Sequence, residues 1–423
     1  MASLGQVNKY YEELSNAIST GQASRVKPLL RLDHPTAQQA LFGSTSVSTA
    51  QLQGAAKRWL QQPWASIAAQ HLLALSKRSS GRPDLAFVLY TAAEGPAKGA
   101  LNALAENPQD LWVAAAMEQT ASNTVVLASQ ADAQLMLTGD SSKSKAVGGF
   151  LQLCISALGP ARRPEEAARR RGNLTLLILL TRVYMRLNNV QGCSQVLKNF
   201  KQNYSGEVLQ RVPAAYRVCA YYYLGRTELN SDNIAGGIDM LQAAFRECKA
   251  DSENVKHILR ALVPLKMLHG ELPTVQLLQR HALQEYEPFR EAIAVGDVGL
   301  FDRSMQMNQY RLIANGTYLL LEKLRFSVFR RLVKRCVGIA RQHAARDWAE
   351  HHLPLGLVLG VLQQQQVATD MDEVECTLSN CIVRRYIKGY ISNKQKVLVL
   401  AKDDPFPGAC EEWWKEPHFV GSA

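Results

Sequence analysis

Two stretches of the chain carry positive charge with no compensating acid. From Lys323 to Arg346 the charged residues are Lys323, Arg325, Arg330, Arg331, Lys334, Arg335, Arg341 and Arg346, with no Asp or Glu among them. From Arg384 to Lys402 the same holds for Arg384, Arg385, Lys388, Lys394, Lys396 and Lys402. The chemistry open to such runs is electrostatic. Lys and Arg that meet phosphates release condensed counterions, which gives an affinity that falls steeply with salt and depends little on base sequence. An acidic protein partner would satisfy the same cations. The candidate phosphate-contacting residues are Arg330, Arg331, Lys334 and Arg335 in the first stretch and Arg384, Arg385, Lys388, Lys394 and Lys396 in the second. Only Asn380 and Thr377 stand nearby as base-edge readers, so contact with RNA or DNA is expected to run through the backbone, with weak sequence preference.

Catalytic chemistry finds no foothold. A Gly-rich phosphate loop with its Lys and Ser/Thr, a His-Glu-x-x-His pair and a Gly-x-Ser-x-Gly elbow are all missing from the sequence. His351 and His352 are adjacent, which a helix would splay apart, so a surface pair is a better reading than metal ligands. The eight cysteines are dispersed through apolar helical patterns with no Cys-x-x-Cys pair, as reduced core residues of an intracellular protein would be. The expectation is a protein that is not an enzyme, with no cofactor and no metal. The apolar runs Leu174–Leu180 and Leu353–Leu362 fall short of the roughly 20 residues of a membrane span, so a soluble chain is expected.

The cationic stretches need elements to hold them. Phe329, Leu332, Val333, Cys336, Val337 and Ala340 give the first an apolar helical face. Leu353–Leu362 follows as an apolar helix, and Asp370-Met-Asp-Glu373 has the form of a capping box opening another helix, with Val374, Leu378 and Ile382 on its buried side. Tyr386–Ile391 and Val397–Leu400, joined by the polar turn 392–396, read as a β-hairpin. Helix, helix, capped helix, hairpin is the order of a winged helix.

Upstream, no strand alternation is expected over the first 380 residues, and helix pairs follow one another. Helix starts at Val190, Ile234, Leu272 and Val298 recur at intervals of 44, 38 and 26 residues, too irregular for a consensus repeat but suited to degenerate tetratricopeptide-like (TPR-like) pairs stacked as a solenoid. Residues 139–145 and Gly159–Gly172, the latter with Arg162, Arg163, Arg169, Arg170 and Arg171, read as exposed linkers. The aromatic stripe Tyr216, Tyr221, Tyr222 and Tyr223 reads as packing between helices rather than a ligand cage. The expected fold is mainly α: an N-terminal helical region over 1–172, TPR-like repeats over 173–324, a winged helix over 325–407 and a tail over 408–423. Net charge +11 agrees with anionic partners without choosing among them.

A helical stack ending in a winged helix is the arrangement of PCI-domain proteins. Within that group, Tyr221-Tyr-Tyr-Leu-Gly-Arg226, the run Pro264–Leu278, Leu320–Leu324, Asp372-Glu-Val-Glu375, Ile387–Ser392 and Asp404-Pro-Phe-Pro407 resemble the PCI-domain-containing protein 2 family, strongly over 210–407 and in islands before that. The resemblance implies a PCI subunit of transcription-and-export complex 2. Its partners would be a large PCI scaffold of the germinal-centre-associated nuclear protein type and a small, very acidic Sem1-like subunit. It implies a nuclear protein, associated with the nuclear pore and in part cytoplasmic. It places Lys388, Lys394 and Lys396 on the wing and Arg384 and Arg385 at the end of the third helix. The Arg162–Arg171 region and the tail Glu411–Lys415 depart from the family pattern. The alternative is a purely structural PCI subunit of a signalosome-like or proteasome-lid-like assembly.

Overall fold

A computed structural model describes residues 2–42, 48–106, 110–137, 142–159, 167–204, 207–230, 233–343, 351–367 and 369–408. Arg162, Arg163, Arg346 and the tail Glu411–Lys415 lie outside them. The fold is mainly α, a helical repeat followed by a winged helix. The chain divides into two compact units, Met1–Thr227 and Glu228–Ala423.

In the first unit, helix Leu111–Leu135 is the element around which helices Ala23–Leu29, Pro83–Thr91, Pro96–Glu106, Lys143–Leu158 and Ala167–Arg186 pack. Its composition explains the position. Ala114, Ala115, Ala116, Ala121, Ala128 and Ala131 are all buried, and side chains this small let neighbouring backbones approach on several sides. Polar groups caught inside are bonded. Asn123 Nδ2 donates to Leu30 O at 2.7 Å and to Tyr90 Oη at 2.6 Å, while Tyr90 Oη lies 3.2 Å from His71 Nδ1. Burial, reinforced by His34, drops the His71 pKa to about 3, so the ring is neutral. Asp132 accepts from the hydroxyls of Ser142 and Ser144 and from the backbone N–H of Lys143 and Ser144, joining the end of one long helix to the start of the next.

Side-chain caps set several of the helix starts. Asn189 accepts from Gly192 N and opens helix Val190–Asn203; Asn233 accepts from Gly236 N and opens Ile234–Glu247; Asp297 accepts from Leu300 N and opens Val298–Asn315. The expected start at Leu272 moves to Val275, because Pro273 precedes Thr274, whose hydroxyl accepts from Leu277 N. That helix ends at Arg280, and a short 3-10 turn, Gln284–Tyr286, follows it. Helix Ala167–Arg186 begins within the expected linker, since Ala167-Ala-Arg-Arg-Arg171 is a run of strong helix formers.

The second unit ends in the winged helix. Helix Arg325–His343 is followed by strand β1 (His352–Pro354), helices Leu355–Gln364 and Met371–Val383, then β2 (Gly389–Ser392) and β3 (Val397–Leu400). The sheet order is β1-β3-β2, antiparallel throughout, with Leu353 opposite Leu398 and Ile391 opposite Leu398 on the other side. β1 was not expected: three residues are too few to show alternation, and Pro354 marks an edge position. β2 starts at Gly389 rather than Tyr386, and a Cβ added at Gly389 would sit against the carbonyl of Val399. Leu353, Leu398 and Leu400 face inward and are buried with Tyr386 and Ile387. On helix Met371–Val383 the buried residues are Val374, Leu378 and Cys381, the last taking the place expected for Ile382 as the 3.6-residue period requires.

Candidate nucleic-acid interface

Local structure first fixes where the second cationic group points. Helix Met371–Val383 starts on Asp370, whose carboxylate accepts from Glu373 N at 2.9 Å. It ends with Arg385 at φ +58° and with Tyr386 N donating to Cys381 O at 2.8 Å, the six-to-one bond of a Schellman turn. The turn drives Tyr386 into the core, where its ring stacks on Phe326 with centroids 5.8 Å apart. Arg384 is thereby laid over the Phe326 ring at 4.9 Å and half-buried, and Arg385 is exposed.

The nine expected residues fall into separate groups. Arg330, Lys334 and Lys388 converge on the segment Asp404–Pro407. Arg330 donates through one Nη to Phe406 O and Pro407 O, both at 2.8 Å, Lys334 Nζ stands 6.0 Å over the Phe406 ring, and Lys388 Nζ lies 3.4 Å from Asp404 Oδ2. Burial lowers the Arg330 pKa from its usual value against the pull of Asp404, which marks that guanidinium as a clamp on the chain more than a solvent-facing charge. Arg331 and Arg335 turn the other way: Arg331 Nε donates to Ala294 O at 2.9 Å and Arg335 Nη1 to Val295 O at 2.6 Å. They cap the last carbonyls of helix Glu287–Val295, the negative end of its dipole. Lys394 and Lys396 share the wing turn, Lys396 in the left-handed region at φ +51°.

Sequence reasoning missed the carboxylates that fold onto these cations. Lys396 Nζ lies 2.6 Å from Glu375 Oε1, and Asn393 Nδ2 donates to Glu375 Oε2 at 3.2 Å. With the Lys388–Asp404 pair, two wing cations therefore have acidic neighbours that a linear scan between Arg384 and Lys402 excludes by construction. The Lys388–Asp404 pair is at the surface, where such a contact is worth about 0–1 kcal/mol and yields to a stronger anion, whereas Glu375 is only 15% exposed and its pair with Lys396 is half-buried. Lys394 is exposed at the tip. Arg331, Lys334, Arg335, Arg385, Lys388 and Lys396 are exposed as well, since a hydrogen bond to a carbonyl uses one guanidinium edge and leaves the charge in place. Tyr390, 63% exposed on β2, was also passed over. Alternation within the hairpin was the available signal, because Ile391 faces the core and its neighbour must face out.

The third helix itself is an unsuitable groove reader. Asp370, Asp372, Glu373 and Glu375 crowd its first half and would meet phosphate with like charge, so the cationic end and the wing are the parts that suit a nucleic-acid backbone. Among the described residues there is no group of three or more His, Cys, Asp or Glu placed to hold a metal ion, and no helix long and apolar enough to cross a membrane.

No family model matches the chain. Individual proteins do. Enhanced ethylene response protein 5 of Arabidopsis thaliana is 31% identical over 303 residues, 71% of each chain. PCI domain-containing protein 2 of Xenopus laevis is 26% identical over 416 residues, 95% of this chain and 97% of the relative. The Drosophila melanogaster homolog of that protein is 32% identical over 253 residues, 58% of this chain and 60% of the relative. A helical repeat closed by a winged helix, together with likeness that runs almost end to end, leads to one assignment: the chain belongs to the PCI domain-containing protein 2 family.

Proposed function

We propose that the chain is a non-enzymatic scaffold subunit of a complex coupling transcription to messenger-RNA export. Its helical repeat and winged helix hold a large PCI scaffold of the germinal-centre-associated nuclear protein type and a small acidic Sem1-like subunit, in the nucleus and at its pores, with a cytoplasmic share. The winged helix adds contact with RNA or DNA phosphates. The observation that carries this last part is the wing: Lys394 stands exposed at its tip, beside Lys388 and Lys396, which are themselves exposed. Family membership supports the scaffold role, since PCI-domain proteins are in general non-catalytic subunits of larger assemblies.

A second reading, a purely structural subunit, is favoured by the internal work of Arg330, Arg331 and Arg335 on backbone carbonyls. The test is retrieval of the full-length chain from nuclear extract, followed by binding of the purified complex to labelled single-stranded RNA and duplex DNA. Co-purification of a large PCI protein and a small acidic one, with salt-sensitive binding to nucleic acid, is the expected result. Retrieval of the partners without any salt-sensitive binding would leave the structural reading standing.

A further inference from the structure

The first unit holds a cavity of about 840 Å³ whose wall carries Lys27, Arg31, Arg78, Arg171 and Tyr216, with Asp33 as a carboxylate among them. A volume of this size is typical of small-molecule sites. Its charge does not cancel. Arg31 is held by Asp33 in a two-point pair, Nε to Oδ1 at 2.8 Å and Nη2 to Oδ2 at 2.7 Å. Lys27 Nζ lies 2.6 Å from Oε1 of Glu118, a side chain only 3% exposed. Those two cations are matched.

Arg78 and Arg171 are not matched in the same way. Arg78 donates to neutral acceptors, Gln130 Oε1 at 3.0 Å and Leu32 O at 3.2 Å, and the carboxylate near it, Asp33, is already engaged by Arg31. The Nε of Arg171 is buried with no hydrogen-bond partner. A guanidinium N–H buried at a cavity wall without an acceptor is costly unless something enters to accept from it. Four cations against two carboxylates leave an excess of about two positive charges, presented by the side chain best shaped for phosphate oxygens. The cluster Arg169–Arg171, unexplained by the nucleic-acid reading, thus delivers one member to a cavity on the opposite half of the chain from the wing.

We propose that this cavity binds a polyphosphorylated small molecule, its phosphates held by Arg78 and Arg171 beside the Tyr216 ring. The inference is independent of the wing's role. It is tested by isothermal titration of the full-length protein with sodium tripolyphosphate at near-physiological salt. The expected result is a single saturable site, weakened about tenfold or more by Arg171→Gln and by Arg78→Gln, the effect of losing charge-assisted bonds to one guanidinium, and unchanged by Lys394→Glu with Lys396→Glu. If Arg78→Gln lowers the melting temperature through its bonds to Gln130 and Leu32, Arg171→Gln alone decides, because its Nε has no protein acceptor to lose. Absence of binding, binding indifferent to Arg171→Gln, or binding abolished by the wing substitutions would each overturn the proposal.

Discussion

Lys396 and Glu375 are 21 positions apart in sequence and 2.6 Å apart in space, Nζ to Oε1. A phosphate that reaches for Lys396 competes with this carboxylate. Lys396 is exposed and Glu375 half-buried; with the pair contributing about 0.5–1 kcal/mol, Glu375→Gln is expected to strengthen RNA binding about two- to fivefold. Fluorescence anisotropy with a short single-stranded RNA measures it. Weaker binding by a folded variant would mean that Glu375 serves to aim the wing instead of competing for it.

Arg331 and Arg335 have a structural duty that dilutes their use as binding probes. Each donates to a terminal carbonyl of helix Glu287–Val295. Arg335→Gln should lower stability by about 1 kcal/mol, read as a shift in urea midpoint at constant slope. No shift would show that the capping bonds contribute nothing in solution.

Gln365 ties the loop between two upstream helices to the winged helix. Its Oε1 accepts from Val298 N at 2.8 Å and its Nε2 donates to Gly296 O at 3.0 Å. Gln365→Ala removes both partners and leaves a partly buried N–H and C=O unsatisfied, a loss of about 1–3 kcal/mol. Chemical denaturation followed by circular dichroism checks it, and stability equal to wild type would contradict it.

His71 gives the first unit a pH dependence. Its folded pKa, about 3, lies below its ordinary 6.5. The unfolded chain therefore binds the proton first as pH falls, and stability is constant above about 6.5 and declines below it, by up to about 1.4 kcal/mol per pH unit. The window between pH 5 and 6.5 lies above the carboxylates that share this direction, Asp33, Asp84, Asp132 and Glu271, whose pKa values are held below normal. Melting curves across that window should slope for wild type and slope less for His71→Gln, the remainder coming from His281, whose pKa burial also lowers. Equal slopes would place the effect elsewhere.

What could be read from sequence and what could not divide along a physical line. Asn189, Asn233, Asp297 and Asp370 cap helices through bonds to an N–H three residues on, so their roles are local and legible. The winged-helix order was likewise visible from apolar periodicity and one hairpin. Strand β1 was not, because its partners on β3 are remote in sequence: Leu353 pairs with Leu398, 45 positions on. Separation in sequence likewise hid Glu375 from Lys396, 21 positions away, and Ala294 from Arg331, 37 positions away. A run of cations announces charge; only the fold decides how much of it is already engaged.

The most direct test of the central claim is the salt dependence of RNA binding by the full-length chain, wild type beside Lys394→Glu with Lys396→Glu. Five or six phosphate contacts predict a log–log slope near −5 and about a 10³-fold loss of affinity from 50 to 200 mM salt, with a shallower slope and weaker binding in the folded double variant. An affinity that ignores salt, or a variant that binds as wild type does, would contradict a nucleic-acid role for the wing.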